Sequence, residues 1–392
     1  MPVPLQRDPD VTRAALTRWL AARSDGTGAV ELGPVTVPEG AGFSGEILLF
    51  DAEWTEAGNR TRQALAVRVA PTGHRVFPEE TWAAQVRLLK LLGHTGLPVP
   101  KVLGDEPSAD HLGAPFLVME RIDGRVPADL PSYHRQGWLA DLPPADRADV
   151  WNGGVDALAA VHRLDPKETG ADFLDRPEFG PTGSAQLLGH LTHHLGFYGV
   201  APDNTAAAAA LDWLRAHVPD DRGPASLLWG DARLGNIVYA GVRPAALLDW
   251  ETAALGPAEA DLAWYLHMDR HLSEGIGAPR LAGLPDRAAT VARWEERTGR
   301  TAENLPYHEV FAAYRFCVVT ARVARLLDES GILPPGTDFP LHRNATALLA
   351  TVLAEASGAT RLQPASRNRG PALQRPGTAL ATEGGTNDHG DR

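Results

Sequence analysis

Residues 226–262, SLLWGDARLGNIVYAGVRPAALLDWETAALGPAEADL, determine how the rest of the chain is arranged. Asp231 follows one apolar run, Asn236 comes five residues later, and Asp249 ends a second apolar run. The pattern predicts two short strands joined by a turn between Asn236 and Asp249. Because a hairpin of this length returns the chain beside its start, we expect all three polar side chains to converge on one point.

These residue types suit one kind of chemistry. Transfer of a phosphoryl group to an alcohol needs a carboxylate that orients the hydroxyl and accepts its proton, and it needs oxygen ligands for Mg²⁺. Asp231 fits the first role, and Asn236 with Asp249 fits the second. Taken singly, each residue is better explained as a turn residue or a helix cap, because Asp and Asn favour both. Their combined spacing between apolar strands argues against coincidence.

The segment resembles the catalytic loop and metal-binding segment of the aminoglycoside phosphotransferase family, a branch of the protein-kinase-like fold that includes choline kinases. The kinase signature has an Asp, an Asn after four intervening residues and a later Asp-Phe-Gly. Here the last of these stands as Asp249-Trp250-Glu251. The resemblance implies ATP and Mg²⁺ as cofactors, Asp231 as the catalytic base, and Asn236 and Asp249 as metal ligands.

Two neighbouring positions depart from the family pattern, and a third follows it. Trp229 stands where the family usually has His. Arg233 stands where protein kinases carry a phosphate-contacting Lys, so the resemblance implies that Arg233 lies near the transferred group as a second catalytic residue. Asp261 resembles the family's buried Asp, which accepts backbone N–H bonds from the catalytic loop.

The resemblance also implies an α+β, protein-kinase-like fold with two lobes. The N-terminal, nucleotide-binding lobe, residues 1–122, is expected to hold a five-stranded antiparallel sheet with one helix. The C-terminal lobe, residues 123–362, is expected to be larger, mainly helical, and to carry the catalytic and substrate-binding residues. The tail, residues 363–392, lacks aromatic residues and periodicity, which predicts disorder.

Hydrophobic periodicity predicts the elements of the first lobe. An amphipathic helix over residues 10–22 is expected to take Asp10 as its cap. Further on, apolar alternation predicts strands and a longer apolar stripe predicts the lobe's helix. The strands cover residues 35–50 with a glycine-rich turn inside, 64–70, 99–103 and 116–122, and the helix covers residues 79–92.

The glycine-rich turn contains Gly42, Phe43, Ser44 and Gly45. Glycine lacks a Cβ and permits positive φ, so such a turn can bring backbone N–H groups close to phosphates. An ordinary hairpin turn is the alternative interpretation. Because this turn precedes the other nucleotide-site signals, we favour the phosphate-binding one.

The remaining nucleotide-site residues follow from the resemblance. Arg68 on the third strand takes the place of the lysine that pairs with the phosphates, and a guanidinium can hold phosphate oxygens bidentately. Gln85 aligns with the position where relatives usually carry the Glu that fixes this cation, and Glu79 is the alternative partner. Backbone groups near Glu120 and Ile122 correspond to the hinge that binds adenine.

Two groups of polar residues in the helical part invite a functional interpretation. His190 and His194 are spaced to share one helical face, so a metal site can be imagined. No third ligand in a suitable motif accompanies them, which favours solvated or substrate-facing histidines. In relatives, helices after Asp261 form the wall of the acceptor site. Candidates for facing the acceptor are Glu251, Asp269, Arg270, His271 and Arg280.

Composition excludes several classes of protein. The net charge of −12 argues against general nucleic-acid binding, which needs a basic face. Cys317 is the single cysteine and lies in an apolar helical pattern, so no disulfide framework exists and a core position is expected. No signal-type or bilayer-spanning apolar run is found. We therefore expect a cytoplasmic protein that does not associate with membranes.

Together these features predict an ATP- and Mg²⁺-dependent enzyme that phosphorylates a hydroxyl group of a small molecule. The acceptor is open between an aminoglycoside-like antibiotic and a hydroxyacyl-CoA-type metabolite, with macrolides and sugars as further options, since acceptor preference lies in the variable helices. The alternative is a regulatory, nucleotide-binding pseudokinase. Gln85 and the missing strand lysine favour that alternative, whereas the presence of Asp231, Asn236 and Asp249 disfavours it.

Overall fold

The N-terminal part of the chain contains an antiparallel sheet. A computed structural model describes residues 7–23, 30–38, 46–56, 59–73, 75–79, 81–221, 223–331 and 340–362. Within them five strands pair in the order β1-β2-β3-β5-β4, and all neighbours are antiparallel. The strands are β1 Glu31–Leu32, β2 Glu46–Glu56, β3 Asn59–Val69, β4 Val102–Glu106 and β5 Phe116–Glu120.

The alternation predicted for the third strand is confirmed. Leu65, Val67 and Val69 are buried on one face of β3 and belong to the core under the sheet. Trp19 from the first helix packs into the same core, and its indole N–H donates to the Glu106 carboxylate of β4 at 2.9 Å. The helix is therefore attached to the sheet by burial and by a buried hydrogen bond.

Two helices accompany the sheet, α1 (Pro9–Ala21) and α2 (Trp82–Leu92). The predicted cap of α1 was wrong by two residues. Asp8 caps the helix, and its side chain accepts the N–H groups of Asp10 and the residue after it. The reason is the proline that follows Asp8, which suits the first helical position. α2 begins at Trp82, three residues later than the predicted Glu79.

The first half of the sheet differs from the prediction. β3 begins at Asn59, five residues before the predicted start, because it pairs with β2 along its whole length. The polar residues 59–63 carry no apolar alternation, so this extension had no sequence signal. The first predicted strand contributes only a bridge between Thr36 and Leu49. The glycine-rich turn with Gly42, Phe43, Ser44 and Gly45 lies outside the described residues.

The remainder of the chain is mainly helical, as predicted. Its helices are α3 Trp138–Asp141, α4 Pro144–His162, α5 Pro166–Thr169, α6 Ser184–His193, α7 Leu195–Tyr198, α8 Thr205–Ala216, α9 Glu259–Leu272, α10 Arg287–Thr298, α11 Leu305–Glu329 and α12 Pro340–Leu362. Its strands are β6 Ser226–Leu228, β7 Ile237–Ala240, β8 Arg243–Leu247 and β9 Ala254–Gly256, and the short 3-10 turns are Asp172–Leu174, Pro177–Phe179, Leu234–Asn236 and Glu274–Ile276.

The predicted hairpin after Asn236 is confirmed. β7 and β8 pair antiparallel from Ile237 opposite Leu247. One residue further out, the Leu248 N–H donates to the Asn236 carbonyl at 2.8 Å. β6 pairs with β9, so the loop between β6 and β7 is closed at its base by two small ladders. This arrangement fixes where the ends of the loop lie.

The long helix α11 forms the centre of the helical part. It packs against α8, α9 and α12, and most of its length is buried. Cys317 lies fully buried on it, which confirms the expected core position. Among the described residues no helix is both long enough and apolar enough to cross a membrane. The lobe boundary at residues 122 and 123 stays a prediction, and the tail from residue 363 lies outside the described part.

Candidate active site

Three donors converge on the carboxylate of Asp231, in the loop that follows β6. The indole N–H of Trp264 donates to Oδ1 at 2.7 Å. The amide nitrogen of Asn236 donates to Oδ2 at 2.7 Å, and Nε of Arg233 donates to the same oxygen at 3.1 Å. The Asn236 amide also donates to the Asp231 carbonyl at 2.9 Å. The loop is thereby held in one conformation around its acid.

These donors decide the charge of Asp231. Burial opposes ionisation, but the Arg233 guanidinium, the hydrogen bonds from Trp264 and Arg233, and the Arg315 charge together lower the pKa of Asp231 below its ordinary value. The side chain is 21 % exposed, so part of it remains accessible to solvent. Asp231 is therefore an ionised acceptor in a partly dry site.

The backbone entering the loop is held by Asp261 near the start of α9. Its two carboxylate oxygens accept the N–H groups of Trp229 at 2.6 Å and Gly230 at 3.0 Å. This confirms the role predicted for Asp261. His162 is fully buried beside it, with Nε2 3.4 Å from Asp261 Oδ2 and Nδ1 accepting the Trp294 indole N–H at 2.9 Å.

Asp249 follows β8 and turns back toward the loop. Its backbone is left-handed, with φ of 61°, an uncommon conformation for a residue other than glycine. The next side chain, Trp250, is buried against Trp229 with ring centroids 5.7 Å apart. The Trp229 indole N–H donates to the Leu248 carbonyl at 2.8 Å. The tryptophan at 229, where the family usually has His, thus ties the loop to the Asp249 turn.

Arg68 of β3 reaches the same turn from the sheet. Its Nη1 donates to Asp249 at 3.0 Å, and its Nη2 donates to Glu251 at 2.9 Å. Burial would lower the pKa of Arg68, but the two carboxylates raise it above the ordinary arginine value. The structure therefore brings Arg68, Asp249, Asn236 and Asp231 together through direct contacts and one hairpin.

The predicted partners of Arg68 were wrong. Gln85 is buried on α2, as its helical phase indicated, but its amide nitrogen has no hydrogen-bond partner within the described residues. Glu79 pairs with Arg176 at 2.8 Å instead of Arg68. The ion pairs of Arg68 are with Asp249 and Glu251, two residues that follow β8. The carboxylates of Asp249 and Glu251 thus take the place of the partner that the sequence predicted on the helix.

In the predicted hinge, the backbone N–H of Glu120 already forms a hydrogen bond within the protein. The Glu120 N–H donates to the Lys101 carbonyl at 2.9 Å, and the Arg121 N–H donates to the Ala64 carbonyl at 3.0 Å. Throughout the described ranges, the N–H of Ile122 has no such protein acceptor. The Glu120 carbonyl and the Ile122 N–H are thus the hinge groups that could still form hydrogen bonds with adenine. The predicted adenine-binding site is therefore limited to these two atoms.

Arg233 is fixed between two acids. Its Nη1 pairs with Asp129 and its Nε with Asp231. Burial would lower the pKa of Arg233, but Asp129 and Asp231 raise it above the ordinary arginine value. The guanidinium thus lies in contact with the Asp231 carboxylate.

Four of the five residues expected to face an acceptor do not form a wall of the cleft. Asp269 is buried and accepts the Tyr133 hydroxyl and Arg280 Nε at 2.9 and 2.6 Å. His271 is 1 % exposed. Arg270 forms surface pairs with Glu274 and Glu355. Periodicity had placed these residues on faces of helices, but those faces pack against other parts of the protein.

A cleft with a volume of about 810 Å³, counted out to its mouth, opens beside the Asp231 loop. Trp264 and Arg315 stand in its wall, and Trp264 is the residue that donates to Asp231. Apolar side chains line much of the rest, among them Phe77, Leu191 and Phe311. Gly230, the residue before Asp231, and Trp264, a donor to its carboxylate, therefore both border this cleft.

Sequence reasoning missed three residues at this site. Trp264 donates to Asp231 from 33 residues away, and Asp129 pairs with Arg233 across 104 residues. Arg315 of α11 donates to the Gly230 carbonyl at 2.7 Å and lies over the Trp264 ring at 4.3 Å. Only Asp129 carried a sequence signal, as an acid just after the predicted lobe boundary.

The histidine pair also differs from the expectation. His190 and His194 are half-buried, and Glu79 supplies the third potential ligand that no sequence motif contained. Glu79 Oε1 lies 3.2 Å from His190 Nε2 and 3.3 Å from His194 Nε2. Burial and the Arg176 charge lower the pKa of His190 to about 4. The two histidines are therefore partly exposed, and both contact Glu79.

The chain is similar to a known family and to known proteins. Residues 54–300, well over half of the chain, match the model of the phosphotransferase enzyme family. Acyl-CoA dehydrogenase family member 11 of Rattus norvegicus is 28 % identical over 341 residues, which cover 80 % of this chain and 41 % of that protein. The chain thus spans about two fifths of the length of this curated relative.

Two solved structures share the fold. A crystal structure of a putative aminoglycoside phosphotransferase from Ralstonia eutropha has a TM-score of 0.64 at 22 % identity, covering 88 % of this chain and 98 % of that one. A thermostable mutant of the aminoglycoside phosphotransferase APH(4)-Ia, in ternary complex with ADP and hygromycin B, has a TM-score of 0.53 at 15 % identity, covering 86 % and 98 %. The predicted α+β, protein-kinase-like fold is confirmed.

Proposed function

Because the chain belongs to the phosphotransferase enzyme family, in which it is a kinase-type enzyme acting on hydroxyl groups, we propose that it transfers the γ-phosphoryl group of Mg²⁺-bound ATP to a small-molecule alcohol. One observation carries the proposal. The Asp231 carboxylate is ionised and fixed by three donors, and one of these donors, Trp264, stands in the wall of a cleft. That is the arrangement a phosphotransferase needs where the acceptor hydroxyl binds.

Asp231 orients the acceptor hydroxyl and accepts its proton as the oxygen attacks. Its lowered pKa keeps it charged, so it acts mainly by positioning the hydroxyl and by electrostatics. Arg233 touches this carboxylate and lies where charge shifts during transfer. Bound ATP supplies the phosphoryl group, and ADP carries away the electron pair of the bond that breaks.

The residues at the Asp249 turn fit a magnesium ion. The Asn236 amide nitrogen is committed to Asp231, which leaves the amide oxygen as its cation-binding atom. Asp249 supplies a carboxylate, and its left-handed backbone belongs to the kind of strained conformation often found at functional sites. Mg²⁺ takes oxygen ligands and usually keeps water and phosphate oxygens in addition, so two protein ligands suffice.

The nucleotide lies between the proposed lobes, residues 1–122 and 123–362. Arg68 faces the phosphates beside Asp249, and the Glu120 carbonyl with the Ile122 N–H receives adenine. The assignment of Gly42, Phe43, Ser44 and Gly45 to phosphate binding stays a prediction from the sequence. A solved structure with the same fold is a complex with ADP, which supports nucleotide binding. In this account Gln85 helps to pack α2 against the site and does not hold Arg68.

The cleft favours a hydroxyacyl-type acceptor over an aminoglycoside. A polycationic aminoglycoside needs free carboxylates, but each acid in this wall already has a partner. Glu79 pairs with Arg176, Glu251 with Arg68, and Asp261 with two backbone N–H groups. The apolar side chains of the wall suit an acyl chain. The rat relative, named as an acyl-CoA dehydrogenase family member, supports the same class of acceptor.

The test is an acceptor screen that identifies the product. The full chain is incubated with Mg²⁺ and ATP and with hydroxyacyl-CoAs, aminoglycosides or macrolides, and ³¹P NMR detects the phosphate monoester. We expect a monoester with a hydroxyacyl-CoA and none in the presence of EDTA. A monoester formed with an aminoglycoside and with no other acceptor would contradict the proposed acceptor class but would agree with the proposed phosphotransferase activity. No ATP-dependent monoester in any arm would contradict the proposed function.

A further inference from the structure

A second cluster of chemically active side chains lies at the edge of the cleft. His190 and His194 come from one face at the end of α6, and Glu79 comes from the segment before α2. One ligand atom from each of the three lies within 4.8 Å of the other two. None of these residues takes part in the proposed phosphoryl transfer. Their proximity is a property of the fold, because Glu79 is 111 residues from His190 in the chain.

We propose that Glu79, His190 and His194 bind a divalent transition-metal ion, with Zn²⁺ as the best fit. Two imidazole nitrogens and one carboxylate are a ligand set that zinc accepts, with the fourth position open. Imidazole ligands suit zinc and its neighbours in the transition series, whereas Mg²⁺ prefers oxygen. This site is therefore chemically distinct from the Asn236 and Asp249 pair.

The rings of the two histidines are held in place before a metal arrives. The Phe179 ring packs against His190 and His194 with centroids 4.9 and 5.7 Å apart. The two imidazoles stand edge to face at 5.1 Å. Packing of this kind reduces the side-chain entropy that is lost when a metal binds. Glu79 and His190 also line the cleft, so an ion can enter from solvent.

Arg176 now occupies the place of the cation. Its Nη1 lies 2.7 Å from His190 Nε2 and 2.8 Å from Glu79 Oε2. A metal must displace this guanidinium from His190, because the Nε2 lone pair cannot bind both. The cluster thus already binds the positive charge of Arg176. Because Arg176 competes with a metal ion for these side chains, it lowers the affinity of the cluster for the metal.

A bound metal would join two parts of the chain. Glu79 lies three residues before α2, and its segment also packs on α11 through Val76 and Phe77. His190 lies on α6 and His194 directly follows that helix. An ion that binds the native arrangement stabilises it by mass action, so the melting temperature should rise with its concentration.

The experiment is a titration of the full chain with Zn²⁺ alone, by calorimetry in a buffer without chelators, and in parallel with Co²⁺ by visible absorption. We expect one saturable site per chain and the intense visible bands of four-coordinate Co²⁺. His190→Ala, His194→Ala and Glu79→Gln should each weaken Zn²⁺ binding by at least about 100-fold, since each removes one direct ligand. Melting curves without metal check that each variant is folded.

Two matched variants make the test discriminating. His193→Ala removes the neighbouring histidine, which packs on Phe179 but offers no ligand atom to the cluster, and should leave the affinity unchanged. Arg176→Gln should strengthen Zn²⁺ binding by about tenfold or more, because it removes the competing charge. Absence of binding in the wild type, equal binding in the folded ligand variants, or no gain with Arg176→Gln would overturn the proposal.

Discussion

Trp264 helps to fix the orientation of the Asp231 carboxylate. The indole N–H reaches Oδ1, whereas Asn236 and Arg233 both reach Oδ2. Each oxygen thus has its own donor, and the carboxylate plane cannot rotate freely. The Arg315 guanidinium packs on the face of the Trp264 ring and stabilises its position. One carboxylate is therefore positioned by residues from three separate segments.

Replacement of Trp264 by Phe keeps most of the ring and removes this donor. Loss of a hydrogen bond to a charged group costs about 1.5 kcal/mol, so kcat/KM should fall about tenfold. Without the donor the pKa of Asp231 rises toward its ordinary value, because one cause of its lowering is gone. The acid limb of the pH–rate profile should therefore move to higher pH.

The control for this variant is Trp213→Phe, at a tryptophan of α8 that stacks on His217 away from the site. It should leave the rate and the acid limb unchanged. If the acid limb of the pH–rate profile stays in place in Trp264→Phe, the indole N–H does not lower the pKa of Asp231.

At this scale the sequence was informative where chemistry and spacing act together. Asp231, Asn236 and Asp249 lie within nineteen residues, and their order alone predicted the meeting point. Trp264 and Asp129 are distant in the chain, and nothing local distinguishes them from other aromatic or acidic residues. Contacts of this kind are decided by the packing of whole elements, which periodicity does not report.

The turn that leads from β6 into the catalytic loop is set by Gly230. Its φ is +89°, and a Cβ placed there would lie 2.1 Å from the Thr252 carbonyl oxygen. The backbone N–H of Gly230 binds Asp261, and its carbonyl binds Arg315. Both the conformation and the close approach require glycine at this position.

Gly230→Ala should therefore destabilise the fold by at least about 3 kcal/mol, since backbone strain and a backbone clash act together. Urea unfolding measures the change. Gly241→Ala is the matched control, because Gly241 also has a positive φ, +65°, but nothing lies within 4 Å of its Cβ. The control should cost about 1 kcal/mol. Equal costs for the two variants would contradict the role given to the close approach.

Elements were predictable to different degrees. The β7–β8 hairpin and the alternation of β3 followed from apolar periodicity. The residues of α9 did not, because Asp269 and His271 were assigned to a substrate wall and are buried instead. A helical wheel shows which residues share a face, but it does not show whether that face meets solvent, substrate or another helix.

At the scale of the whole molecule, buried Asp269 joins three distant segments. It accepts the Tyr133 hydroxyl at 2.9 Å and Arg280 Nε at 2.6 Å, and His134 Nε2 lies 3.1 Å from its Oδ1. Burial opposes its charge, but His134 and Arg280 lower the pKa of Asp269 below the ordinary value. Its charge thus stabilises the helical part.

Asp269→Asn should lower the free energy of unfolding by about 3 kcal/mol at neutral pH, because it leaves Arg280 and Tyr133 imperfectly paired. Since the folded pKa is depressed, the wild-type advantage is complete above the unfolded value of about 3.9 and is lost as pH falls through the folded value. Asp156→Asn, which breaks partly exposed pairs with Arg293 and Arg297, should cost no more than about 1 kcal/mol. Similar costs at pH 7 would contradict the distinction.

The most direct test of the central claim is the rate of phosphoryl transfer by Asp231→Asn, measured in single turnovers with Mg²⁺, ATP and the acceptor identified in the screen. The account predicts a rate about 10³-fold below wild type, with melting temperature and ATP affinity nearly unchanged, because Asn neither accepts the proton nor carries the charge. A folded, ATP-binding variant whose rate stays within about threefold of wild type would contradict it.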